Sequence, residues 1–174
     1  MAGELQFSIS YKAEQDRLRL LASFADGVEM QFWLTRRMTK GLLDVADRLA
    51  RDLIQFDIAD ENARDRVADF EREAAVEGSD FAQSYRGGEM HPLMKNGPRL
   101  ITVMSLTPSR DKQQITIAIT LDKAEKLTLK LAAKALWGLV HLIGVQARVA
   151  QWDLSASPAN NIMSHTQTTR PSLN

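Results

Sequence analysis

RLRLLASFADGVEMQFWLTRRMTKGLLDVADRLAR, residues 17–51, decides how this chain is read. In it Leu18, Leu20, Ala22 and Phe24 recur at every second position, Asp26-Gly27 interrupts, and Met30, Phe32 and Leu34 alternate again. Period-two alternation buries one face of a strand and leaves the other in water. Asp-Gly between two such runs predicts a hairpin, through a two-residue turn with positive φ at both central residues. After Thr35 the apolar spacing turns helical, through Leu42, Ala46, Leu49 and Leu53. Thr35 is a candidate N-cap, because its hydroxyl can accept from a free N–H of the first turn. The helix is expected to run to about Phe56.

A shift of 97 residues finds the same pattern again. Leu18, Leu20, Ala22 and Phe24 fall on Ile115, Ile117, Ile119 and Leu121. Met30, Phe32 and Leu34 fall on Leu127, Leu129 and Leu131, Gly41 on Gly138, and Arg51 on Arg148. Upstream, Phe7 and Ile9 fall on Met104 and Leu106. The expectation is a duplicated strand-strand-strand-helix unit, residues 5–56 and 99–152, that completes one core. The fold class is α+β: an antiparallel sheet of six strands, with two long helices on one face. Residues 1–154 form a single domain in this reading.

Between the units lies a linker, residues 57–98. Ala63, Val67, Phe70 and Ala74 share a narrow stripe, which predicts a second helix docked by that face. Asp60 and Arg64 are spaced for an ion pair. Gly87-Gly88, His91-Pro92 and Asn96-Gly97-Pro98 then mark a long loop. Residues 155–174 are polar and aperiodic, and are expected to be a disordered tail.

Lys plus Arg and Asp plus Glu number 22 each, so no global field recruits nucleic acid or an acidic membrane. The distribution is uneven: residues 59–97 hold 5 basic and 9 acidic side chains, and residues 98–174 hold 9 and 4. With no cysteine, disulfides, thiolate chemistry and Cys-built zinc sites are excluded. The first residues show no basic and apolar leader, and the apolar run Ala135–Val145 is too short to span a bilayer. A cytoplasmic protein without membrane contact is the expectation.

No metalloprotease, phosphate-loop, dinucleotide or nucleophile-elbow motif is present. His91, His141 and His165 are far apart in sequence. No catalytic residue, metal site or cofactor is assigned, and an enzyme would need groups converging from the loop 87–98. Gly41 and Gly138 sit early in their helices, where glycine costs about 1 kcal/mol relative to alanine, so a close backbone approach is expected at both. The helix of the second unit, from about Ala132 to Trp152, is apolar over most of its girth. Trp137, Val145, Val149 and Trp152 are candidates for an interface, in a homodimer or with a protein partner.

The alternative is single-stranded nucleic acid. Arg36, Arg37 and Lys40 crowd a helix N-terminus, where cations oppose the dipole unless an anion binds. Trp33, Arg17 and Arg19 share the solvent parity of the first unit, and Lys126 and Lys130 that of the second. A basic sheet face with an aromatic can hold phosphates and stack a base.

Overall fold

The computed structural model describes residues 5–53, 60–78 and 84–154. Strands β1 (Gln6–Lys12), β2 (Arg17–Ser23) and β3 (Val28–Thr35) pair antiparallel, with Leu18 opposite Leu34 and Leu20 opposite Phe32. Leu18, Phe32 and Leu34 have no exposed surface, as their alternation requires. The hairpin turn differs from the expected one. Phe24 N donates to Val28 O and Gly27 N to Phe24 O, both at 2.9 Å, and within the turn only Gly27, at φ +79°, is left-handed. This is a three-residue loop, a type I turn followed by one left-handed residue. Asp26 Oδ1 accepts from Val28 N at 3.0 Å, a local bond that holds Asp26 at ordinary φ.

Strands β5 (Arg99–Pro108), β6 (Gln114–Leu121) and β7 (Lys126–Ala132) form the second meander. β4 (Glu89–Met90) is a two-residue strand beside β3. Pairings in the two halves coincide at an offset of 97: Phe7 with Ala22 and Met104 with Ile119, Leu18 with Leu34 and Ile115 with Leu131. The second turn repeats the hydrogen bonds of the first, Leu121 N to Glu125 O and Ala124 N to Leu121 O. Ala124 takes the left-handed place of Gly27, at φ +64°.

The fold is α+β, with a seven-stranded mixed sheet in the order β1-β2-β3-β5-β6-β7. Six antiparallel strands were expected. β4 adds a seventh, and both β4 and β5 lie parallel to β3. The reason is the helical connection after β3, which returns the chain beside that strand in the same direction. Gly88 makes the return possible, since a Cβ there would lie 2.1 Å from Gly27 O. Leu127 and Leu129, expected in the core, are half-buried because β7 is an edge strand with a neighbour on one side only.

Helix α1 (Arg36–Leu53) starts at Thr35, whose hydroxyl accepts from Met38 N at 3.2 Å. Its expected last turn falls outside the described residues. Helix α2 (Glu61–Glu77) is capped by Asp60, which accepts from Asn62 N at 3.0 Å, so this carboxylate serves the helix end and not the ion pair expected with Arg64. The docking stripe is also rotated from the expected one. Ala68 is buried at 3% exposure while Phe70 is 71% exposed. Small side chains let α2 settle onto α1 and α3, and Arg51–Asp65 at 2.7 Å and Arg72 between Asp47 and Asp69 tie its flank. Helix α3 (Ala133–Val149) buries Leu136, Trp137, Gly138, Leu139, Ile143 and Ala147. α1, α2 and strands of both halves all pack against it, so its broad apolar girth is covered within the chain except at Val149. No described helix is long and apolar enough to cross a membrane. The expected tail, residues 155–174, lies outside the described residues.

Candidate functional site

β3 ends at Thr35 and the chain turns directly into α1, while β5 runs on to Pro108. The two elements diverge, and a groove of about 370 Å³ lies between α1 and β5. Met38, Leu42 and Val45 line it from the helix, and Ile101, Met104 and Leu106 from the strand. Thr35, Thr102 and Arg37 add the polar lining. Gly41 faces open space. A Cβ built there meets no atom within 4 Å, so the close approach expected at this glycine is absent. Its counterpart Gly138 is buried in α3. Val103, also lining the groove, is 57% exposed.

The cluster at the start of α1 does not converge on one point. Arg36 Nη2 donates to Asp153 O at 3.1 Å, and Lys40 Nζ to Leu154 O at 3.0 Å. These two cations hold the segment that follows α3. Arg37 alone reaches the groove, and among the described residues it makes no ion pair. A second tie fixes the same segment. Asp16 accepts from Trp152 Nε1 and from Tyr11 Oη, each at 2.9 Å, and the Tyr11 and Trp152 rings meet edge-on. Those hydrogen bonds, with the field of Arg36, hold the Asp16 carboxyl below its ordinary range. The Tyr11 phenol is pushed up, chiefly by its bond to Asp16.

The continuous polar sheet face is interrupted. Arg19 Nη2 donates to Gln31 Oε1 at 2.8 Å, Gln31 Nε2 to Glu29 Oε1 at 2.8 Å, and Tyr85 Oη to Glu29 Oε2 at 3.0 Å. Glu29 and Gln31 are buried although their parity is that of the solvent face. The segment around Tyr85 covers them, and burial, then the bond to Glu29, pushes the Tyr85 phenol far up. Trp33 and Arg17 are half-buried. Lys126 and Lys130 are exposed on β7, in the other half of the sheet. The structure therefore separates residues that the sequence groups together. Of the interface candidates, Trp137 and Trp152 are buried by their own chain, Val145 is half-buried, and Val149 is 61% exposed.

No group of acidic or histidine side chains able to hold a metal occurs among the described residues. No residue of the loop 87–98, where catalytic groups would have had to converge, lines the groove. Sequence reasoning missed both the groove and the Glu29–Tyr85 contact. The one available signal for the groove was the run of apolar residues on β5, Leu100, Ile101, Val103, Met104 and Leu106, which continues where β3 has already become helix. Comparison with known protein families, characterised proteins and solved structures gives no match.

Proposed function

We propose that the chain is a non-catalytic binding module that receives a segment of a protein partner in the groove between α1 and β5. The observation carrying this reading is an apolar cleft kept open at Gly41, which no described side chain fills. Clefts with an apolar lining and few polar groups are the usual form of a binding site. A photo-crosslinking residue at Val45 tests it. A protein adduct in the parent, lost on Gly41→Phe, is the expected result; an adduct indifferent to Gly41→Phe would count against the groove.

Self-association belongs to the same class of function, with exposed Val149 as its surface. A concentration-dependent mass in light scattering, abolished by Val149→Glu, is the matching test. A second reading, single-stranded nucleic acid, is favoured by exposed Lys126 and Lys130 on the solvent side of β7. Oligonucleotide binding that weakens steeply with salt and fails in the double alanine variant would support it. A cytoplasmic setting suits either reading.

A further inference from the structure

β5 has two backbone edges. One pairs with β6 along nearly its whole length. The other meets β3 only at Arg99 and Leu100, and beyond Leu100 no described strand pairs with it. Ladder parity says which groups are left over. Ser109 N donates to Gln114 O at 2.8 Å, so Ser109 and Gln114 are a hydrogen-bonded pair. Antiparallel ladders alternate, so Ser105 and Thr107 also bond to β6. Met104 and Leu106 then direct their N–H and C=O away from β6, towards the open edge. Their side chains share the face of Ile119 and Ile117, with which they pair, and line the groove. At the matching edge in the first half one group is taken, since Tyr11 N donates to Gln146 Oε1 of α3 at 3.0 Å. The corresponding places are Pro108 on β5, which has no N–H, and Leu49 on α1, whose side chain has no acceptor.

Resting on the groove reading above, we infer that the occupant is an extended peptide that adds as a strand to β5 at Met104 and Leu106. An open main-chain edge recognises any extended backbone, and the apolar wall of α1 selects alternate apolar side chains. Arg37, the one charged residue of the lining, favours a carboxylate in the bound segment. The partner is thus an acidic, apolar-alternating strand of another protein.

The test uses peptides selected from a random phage-displayed library on the full chain, then measured as free peptides. Expected are alternating apolar sequences carrying a carboxylate, with binding abolished by Gly41→Phe and weakened about tenfold or more by Leu106→Pro, which removes one main-chain hydrogen bond and an apolar contact of the groove. Proline is tolerated at that position because the lost N–H serves no ladder bond. In the parent, bound peptide is expected to slow amide exchange at Met104 and Leu106, while Ser105 and Thr107 are already protected. Peptides blocked by Gly41→Phe that leave the Met104 and Leu106 amides unchanged would overturn strand addition and leave the groove reading standing. Absence of any peptide sensitive to Gly41→Phe would overturn both. A dimer in light scattering that protects the same two amides would replace the foreign peptide by a second copy and overturn the proposal.

Discussion

At the scale of single residues, Gly41 carries the clearest tension between stability and site. Glycine inside a helix leaves the backbone freer when unfolded and packs nothing when folded. Space for a methyl is present at Gly41, so no steric reason retains it. Gly41→Ala is expected to raise stability by about 1 kcal/mol in denaturant titration. Asp16 gives a prediction in pH. Its folded-state pKa lies below its ordinary value, so it stabilises the fold above the unfolded value of about 3.9 and ceases to as pH falls through the folded value. Asp16→Asn should therefore flatten the fall in melting temperature on acidification below about pH 4. An acid limb identical to the parent would remove Asp16 from that role.

At the scale of elements, the strands are specified by parity. Ile117 is 2% exposed on β6, between Leu106 and Leu129 on its neighbours. Ile117→Ala is expected to cost about 2–5 kcal/mol, measured by urea unfolding, because the cavity would be walled on both sides. The two matched turns put different residues in the left-handed position, Gly27 and Ala124. Ala124 occupies a left-handed conformation that suits glycine, so Ala124→Gly should stabilise the second hairpin, by up to about 1 kcal/mol, where Gly27→Ala destabilises the first. A loss of stability on Ala124→Gly would count against that account.

At the scale of the whole molecule, α2 is the weakest layer. It buries Ala68 alone among its residues, with Val67 and Ala75 half-buried against the core, and its ion pairs to α1, Arg51–Asp65 and Arg72–Asp47, are largely exposed and contribute little each. Amides of α2 are expected to exchange faster than those of α3 and of β2 and β6, since local opening there exposes little apolar surface. Equal protection throughout would show that α2 unfolds only with the core. Opening of α2 would bare the flank of α3, which links the dynamics of this layer to the apolar helix beneath it.

How much of this was legible beforehand follows from the range of the forces involved. Alternation at Leu18, Leu20, Phe32 and Leu34, the Thr35 cap and the recurrence at a shift of 97 are local or periodic properties, so strands, α1, α3 and the α+β class could be read from residue order. The face that α2 presents could not, since Ala68 and Phe70 are both apolar and only the shape of the α1–α3 surface chooses between them. Glu29 and Gln31 carry solvent parity, and their burial depends on Tyr85, 56 residues away. Arg36, Arg37 and Lys40 are neighbours in the chain, but carbonyls more than a hundred residues later take two of them and leave Arg37 to the groove. The groove itself exists because β5 outruns β3, a relation between two strands that only their packing in space creates.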